Sequence, residues 1–143
     1  MIAEGPNAIV HDGTIYLIYS GSLVGIDYTT GLVTAPAGQD ADLTDPNVWT
    51  KLDYPLQKSG VYNGQWQLGT GHGMWSNDED GNLIYVFHNA EYENGRYGGR
   101  DAQVRRVHWS KEGMPILDMQ AAEELNPDYA DITMKIVVSG NKG

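Results

Sequence analysis

The chain has 143 residues, a length typical of one domain, and a hydrophobic content of 41%, which excludes a disordered composition. The formal net charge of −10, from 19 acidic and 9 basic residues, argues against nucleic acid and anionic membranes as partners, since both require basic patches. The absence of cysteine excludes a disulfide framework and a thiolate metal site.

The first part of the chain predicts a meander of four β-strands. A short strand over 8–11 ends at Asp12-Gly13, a strong hairpin signal, and an apolar strand follows over 14–20. A third strand is predicted over 28–35. A polar loop rich in Gly and Asp then leads to a short outer strand over 48–51.

The second part of the chain predicts the same order of elements. Residues 57–69 are expected to be irregular, and 89–99 to be a long polar loop. The strands of this unit are predicted over 71–76, 83–88, 102–109 and 114–117. Within the third of them, Arg105 and Arg106 are expected to be solvated, as suits an outer strand. A helical turn within 121–129 and a single alternating strand over 131–138 complete the prediction.

The two units match in pattern at an offset of 68 residues. Asp12-Gly13 falls on Asp80-Gly81, and at the same offset Glu4 falls on His72. A carboxylate and an imidazole are therefore predicted at equivalent entry points of two copies of one β unit. Two such four-stranded meanders indicate propeller blades, and a propeller normally has at least four. We predict an all-β, partial propeller, with a complete two-sheet sandwich as the alternative.

Glu4 and His72 are the first candidates for chemistry. Beside Glu4, Gly5 permits close backbone approach and Pro6 restricts φ. A carboxyl group that is desolvated at a propeller axis stays protonated more readily and can act as a general acid. His72 lies among glycines and could contact a sugar or a metal, directly or through water. The alternatives are a surface acid and a hydrogen-bonded core histidine.

Arg100 is the best candidate among the cations. It follows Gly98-Gly99 at the entry of a strand, where its guanidinium could hold sugar hydroxyls or a carboxylate through a bidentate fork. The alternative is an exposed loop arginine. The sequence shows no nucleophile motif, P-loop, dinucleotide fingerprint or zinc spacing, so we expect no organic cofactor.

The order and spacing of several motifs over residues 2–118 resemble glycoside hydrolase family 43. The motifs are Glu4-Gly5-Pro6, 12–20, Tyr28 with 31–35, Asp45-Pro46 with Trp49, 69–73, 85–88, Arg100, and His108-Trp109 with Gly113 and Pro115. They most resemble the branch of the family that releases terminal arabinofuranose or xylose. The tail over 121–138 resembles the lead-in to the immunoglobulin-like domain of secreted members.

The resemblance implies a five-bladed β-propeller of inverting enzymes that use three carboxylates: an aspartate base, an aspartate that tunes the acid and orients the substrate, and a glutamate acid in a Glu-Gly-Pro type motif. By motif, Glu4 is expected to be the general acid and His72 the central histidine near a bound calcium ion, where it also contacts substrate. Arg100 is expected to contact the sugar, with Tyr28 and Ser20 lining the pocket. Calcium prefers oxygen ligands, so His72 alone is a poor ligand.

Only one of the three carboxylates of that family has a matching motif in this chain. We therefore expect residues 1–118 to be the last two blades of the propeller, and 119–143 to be a linker and strand that lead toward a further C-terminal domain. The chain is expected to be inactive without N-terminal blades or a partner chain. The expected reaction is inverting hydrolysis of terminal α-L-arabinofuranosyl or β-D-xylosyl residues of plant poly- or oligosaccharides. The alternative is a non-catalytic, carbohydrate-binding half-propeller.

The intact protein is expected to be extracellular or at the cell surface. No apolar run approaches the roughly 20 residues of a membrane-spanning helix. Met1-Ile2-Ala3 is followed at once by charged and turn residues rather than by a signal peptide, so any such signal is expected upstream.

Overall fold

A computed structural model describes residues 1–94, 96–129 and 131–138, and within them strands dominate. The ten strands are β1 (Ile2–His11), β2 (Thr14–Ser22), β3 (Thr29–Pro36), β4 (Thr50–Lys51), β5 (Gly60–Tyr62), β6 (Gln65–Asn77), β7 (Leu83–Glu93), β8 (Arg96–Arg106), β9 (His108–Trp109) and β10 (Pro115–Ile116). They form two four-stranded sheets, in the order β1-β2-β3-β4 and β5-β6-β7-β8, and a two-stranded ribbon of β9 and β10. The only helices in these residues are short 3₁₀ turns, and no helix there is long and apolar enough to cross a membrane.

The first sheet confirms the predicted meander. All its strand pairs are antiparallel, and β1 joins β2 through Asp12-Gly13. Both turn residues have positive φ, 46° for Asp12 and 73° for Gly13, as a tight two-residue hairpin turn requires. The outer strand β4 contributes only Thr50 and Lys51 to the ladder.

The second sheet departs from the sequence prediction in three places. Residues 57–69 are not irregular, because β5 and the start of β6 form a hairpin there. Residues 89–99 are not a loop, because β7 and β8 continue as a hairpin in which Tyr92 pairs with Tyr97. The fourth strand expected over 114–117 pairs with β9 instead of joining the sheet. The first two stretches are polar, and backbone ladders rather than apolar side chains make them strands.

The described residues of the tail form no strand. Residues 119–129 contain two 3₁₀ turns, Ala121–Glu123 and Pro127–Tyr129, and the strand predicted over 131–138 is not present. Ile136, Val137 and Val138 are exposed there. A strand requires a partner for its backbone groups, and alternation of side chains alone does not supply one. The division of the chain at residue 118 stays a prediction.

The two sheets pack against each other through a shared core of aromatic and aliphatic side chains. Its buried members are Tyr16, Ile18, Leu32, Trp75, Tyr85, Phe87, Val107 and Leu117. Hydrogen bonds add direction to this packing: the backbone N–H of Trp75 donates to Oδ1 of Asn7 over 2.8 Å, and the hydroxyls of Thr30 and Tyr85 are 2.7 Å apart. These bonds hold β1 and β3 of the first sheet against β6 and β7 of the second.

The expectation that Arg105 and Arg106 are solvated is wrong, because both are buried. Arg105 donates to the side chain of Gln67 and to the carbonyl of Leu117, and its guanidinium lies 3.7 Å from the ring centre of Tyr62. Nη1 of Arg106 donates to Oδ2 of Asp78 over 2.9 Å. These arginines are therefore structural cations of the second sheet.

The Arg106–Asp78 ion pair predicts an acid-sensitive contribution to stability. Burial acts to raise the pKa of Asp78, but hydrogen bonds from Asn82 and Arg106 and the arginine's charge outweigh it and lower the pKa from 3.8 to about 2. A carboxyl group with a lowered folded-state pKa stabilises the fold fully above its unfolded-state pKa, and this contribution is lost as pH falls through the folded-state value. The loss is thus expected between about pH 4 and pH 2.

The measurement is the free energy of unfolding of the protein and of Asp78→Asn across this pH range. Asp78→Asn is expected to be less stable at pH 6, with a difference that shrinks toward pH 2. The control is Asp80→Asn, which removes an exposed carboxylate of the same turn. A destabilisation by Asp78→Asn that is equal at pH 6 and pH 2 would contradict the role given to the ion pair.

Candidate active site

Glu4, Tyr28 and His72 meet where β1, the residue before β3 and β6 come together. Glu4 lies in β1, Tyr28 directly precedes β3, and His72 lies in β6. The hydroxyl of Tyr28 donates to Oε1 of Glu4 over 2.7 Å and lies 3.2 Å from Nδ1 of His72. Nδ1 of His72 is 3.8 Å from the same carboxylate oxygen. The acid and the imidazole that the sequence pairs are therefore neighbours, with a tyrosine between them.

A β-bulge in each strand shapes this meeting. In β1 the register slips after Glu4, so that Gly5-Pro6 stands opposite a single residue of β2. In β6 the register slips after Gly71, so that His72-Gly73 stands opposite a single residue of β7. The first bulged residue of each pair has left-handed φ, 60° for Gly5 and 51° for His72. Bulges change the direction in which side chains point. Here they turn Glu4 and His72 toward the same point between the two sheets.

The pairing of the strands shows that the predicted equivalence of Glu4 and His72 is wrong by one residue. Glu4 corresponds to Gly71, and His72 corresponds to Gly5, because each pair holds the same place beside the bulge. The offset of 68 read at Asp12-Gly13 does not extend back along the preceding strand, because the segment from Gly71 to its ladder partner His88 is one residue longer than the segment from Glu4 to its partner Ser20. Glu4 and His72 meet from neighbouring sheets, not from equivalent positions.

Two glycines leave room for the cluster. A Cβ on Gly5 would lie 3.3 Å from Nε2 of His72, and a Cβ on Gly71 would lie 2.5 Å from the ring of Tyr28. The first distance is tight and the second is a clash. Close packing against these two positions thus fixes both aromatic rings of the cluster.

Ser20 and Tyr28 do not lie where a pocket lining is expected, because they are 1% and 2% exposed in this structure. The hydroxyl of Ser20 accepts a hydrogen bond of 2.6 Å from the backbone N–H of His72. Burial raises the pKa of Tyr28; the bond to Glu4 and its charge act in the same direction, while Ser20 and Arg100 act against them. Tyr28 therefore stays a neutral hydroxyl donor, and both residues support Glu4 and His72 from behind.

His88 belongs to this support as well. Its ring stacks on Tyr28, with centroids 5.8 Å apart and planes 11° from parallel. Burial lowers the pKa of His88, and the nearby side chains of Arg100 and His72 lower it further. A neutral imidazole thus packs on the tyrosine. No local signal in the sequence predicts this stack. The offset of 68 does make His88 the counterpart, on β7, of Ser20.

Arg100 lies beside the cluster and is exposed. It sits in β8 within a further bulge, where the ladder slips between the pairs Asn89–Asp101 and Glu91–Gly98. Its positive charge acts to lower the pKa of Tyr28 and of His88. Within the described part of the chain its guanidinium donates no hydrogen bond, so its five donors are open to a ligand.

The residues around His72 do not form a calcium site by themselves. Across residues 1–94, 96–129 and 131–138, no group of three or more His, Asp or Glu side chains is arranged to hold a metal ion. Calcium takes six to eight oxygen ligands, whereas among the described residues the imidazole of His72 makes polar contacts with Glu4 and Tyr28 only. A bound calcium ion near His72 therefore stays a prediction.

Replacing Gly5 tests how tightly the bulge and His72 are coupled. Gly5→Ala places a side chain at left-handed φ, which costs about 1–2 kcal/mol of stability, and also presses a methyl group on the imidazole. Gly13→Ala is the matched control, because Gly13 has similar φ and nothing within 4 Å of its Cβ position. We expect a loss of stability in both variants but a shift of the His72 ring resonances only in Gly5→Ala. Unchanged His72 resonances in Gly5→Ala would show that the ring is not held by this contact.

Comparison with known proteins places this site in a family. The model of the family "Glycosyl hydrolases family 43" matches residues 1–115. An extracellular exo-α-(1→5)-L-arabinofuranosidase of Streptomyces avermitilis is 31% identical over 134 residues, which are 88% of this chain and 27% of that protein. Alpha-L-arabinofuranosidase 43 of Humicola insolens is 36% identical over 120 residues, which are 80% of this chain and 24% of that protein.

A solved structure agrees with these relatives. The α-L-arabinofuranosidase from Lactobacillus brevis aligns with a TM-score of 0.70 and 30% identity, over 80% of this chain and 36% of that one. The chain thus spans about a quarter of the length of the curated relatives and about a third of the solved structure. The predicted fold is confirmed: the two sheets are blades of a β-propeller. This chain belongs to glycoside hydrolase family 43.

Proposed function

We propose that the intact protein is an inverting glycoside hydrolase that releases terminal α-L-arabinofuranosyl residues from plant glycans, with Glu4 as its general acid. The observation that carries this proposal is the carboxylate of Glu4. One of its oxygens is held by Tyr28, and the side chain is still 41% exposed, so a substrate can reach it. The names of the relatives from Streptomyces, Humicola and Lactobacillus favour arabinofuranosides over xylosides.

Inversion requires an acid and a base on opposite sides of the sugar. The acid protonates the leaving oxygen, while the base activates a water molecule, and the two carboxyl groups are about 6.5–9.5 Å apart. In the described residues no second carboxylate is hydrogen-bonded to Glu4, Tyr28 or His72. We therefore assign the base and the tuning aspartate to other blades of the propeller, which face the same axis.

Arg100 and His72 are the proposed sugar contacts of this chain. Arg100 is exposed and offers a planar set of donors, which suits two adjacent hydroxyl groups. The side chain of His72 is 53% exposed, so its Nε2 edge can contact a sugar while Nδ1 is engaged by Tyr28.

The proposed setting of the enzyme is extracellular. The support is the Streptomyces avermitilis relative, whose name describes it as extracellular. The substrate would be an arabinose-containing plant polysaccharide or oligosaccharide. Residues 1–118 would serve as two blades of the propeller and 119–143 as a link to a further domain.

The test of the acid uses Glu4→Gln in the intact protein and an aryl α-L-arabinofuranoside with a poor leaving group. Loss of general acid catalysis is expected to lower kcat by about 10²–10⁴-fold. The matched control is Asp12→Asn, which removes a 91% exposed carboxylate of the same blade and should retain full activity. NMR of the first-formed sugar should show inverted configuration. Full activity of Glu4→Gln, or retained configuration, would overturn the assignment.

A second test separates an incomplete site from a complete one. The 143-residue chain alone is expected to hydrolyse no aryl arabinofuranoside, because removing the base costs at least as much as removing the acid. Co-expression with the remaining blades of the propeller is expected to restore hydrolysis. Turnover by the purified chain alone would show that its own residues complete the site. Glycan binding by the intact protein without hydrolysis would support the non-catalytic alternative.

A further inference from the structure

Tyr28 has one hydroxyl hydrogen and two partners. Its oxygen lies 2.7 Å from Oε1 of Glu4 and 3.2 Å from Nδ1 of His72. An ionised carboxylate only accepts hydrogen bonds, so the tyrosine hydrogen points to Glu4. The contact with His72 is then a hydrogen bond only if Nδ1 carries a hydrogen and donates it to the tyrosine oxygen. The geometry thus selects one direction of hydrogen-bond donation: His72 donates to Tyr28, and Tyr28 donates to Glu4.

Tyr28, the middle one of these three residues, cannot move aside. Tyr28 is 2% exposed, its ring stacks on His88, and the backbone of Gly71 lies where a methyl group would already clash with it. A phenol that is buried and packed on two sides keeps its hydroxyl in one place. The carboxylate oxygen that it meets is therefore also held in place.

The backbone of His72 is held in place as well. The backbone N–H of His72 donates to the buried hydroxyl of Ser20 over 2.6 Å, and Gly5 lies against Nε2. His72 also has left-handed φ, 51°, which is rare for a residue that is not glycine. Such strained positions persist where the surrounding structure over-determines them.

We propose that His72 and Tyr28 form a donor chain that positions Glu4, leaving Oε2 as the only oxygen of Glu4 that carries and transfers the catalytic proton. This inference rests on the proposed function of Glu4. Tyr28 is a positioning residue, because it contacts Glu4 and not the sugar. In the reaction, the oxygen of a water molecule bonds to the anomeric carbon and gives a proton to the base on another blade, while the bond between the anomeric carbon and the leaving oxygen breaks. Its electron pair goes to that oxygen, which takes the proton from Oε2. Tyr28 and His72 keep their hydrogens throughout.

The first experiment compares leaving groups in the intact protein. A poor leaving group, as in phenyl α-L-arabinofuranoside, needs protonation by Glu4, whereas 2,4-dinitrophenolate leaves without it. Tyr28→Phe is expected to lower kcat on the phenyl substrate about tenfold to a hundredfold, as misplacement of a reacting group does, with little change in KM or on the dinitrophenyl substrate.

The matched control is Tyr85→Phe. Tyr85 is a second buried tyrosine, and its hydroxyl bonds to Thr30 instead of the acid. Any destabilisation caused by the loss of a buried hydroxyl should appear in both variants, but the leaving-group effect should appear only in Tyr28→Phe. Equal losses on both substrates in Tyr28→Phe would overturn the positioning role.

The second experiment does not depend on activity. Nitrogen-15 NMR of His72 in the intact protein is expected to show a hydrogen on Nδ1, and Tyr28→Phe should abolish this preference. A wild-type protein with the Nδ1–H form but no glycosidase activity would refute the proposed function and leave the donor chain standing. A wild-type His72 with hydrogen on Nε2 would refute the donor chain, whatever the activity.

Discussion

The hydrogen bond from Tyr28 to Glu4 is the interaction on which the rest of the site depends, because it joins a side chain of β1 to one from the segment before β3, next to His72 of β6. Glu4 and His72 come from different sheets, and the tyrosine hydroxyl bridges them where Nδ1 of His72 lies 3.8 Å from Oε1 of Glu4. That bond in turn requires the left-handed bulges at Gly5 and His72, which aim the two side chains at the same point. The core beneath, with Asn7 and Thr30 bonded across the sheets, keeps the bulges in register.

The basic residues of the second sheet divide sharply by burial. Arg105 and Arg106 are buried against carbonyl, carboxylate and aromatic partners and hold the sheet to the segments that follow it. Arg100, on the same strand, is exposed and bonded to no described residue. Buried charges stay only where they are paired, whereas a binding arginine must keep its donors unoccupied. The strand therefore carries a structural part and a part available for recognition.

Turn chemistry and apolar alternation made much of the fold predictable. The hairpin at Asp12-Gly13, the meander of the first sheet and the pairing of two similar units follow from local signals that tertiary packing did not override. The β5–β6 and β7–β8 hairpins did not follow, because their strands are polar and depend on backbone ladders. For the same reason the alternating residues 131–138 suggested a strand, while the structure supplies no ladder partner among the described residues.

The sequence by itself determined that an acid in a Glu-Gly-Pro motif and a histidine among glycines belong to one family of glycosidases and to one site. Only the tertiary structure decided how they meet. In the second blade, one extra residue between the ladder partners Gly71 and His88 moves His72 to the place of Gly5, and a buried tyrosine from the segment before β3 joins the pair. Such contacts depend on register and on packing between sheets. Both are summed over many distant residues, and no local pattern in the chain encodes them.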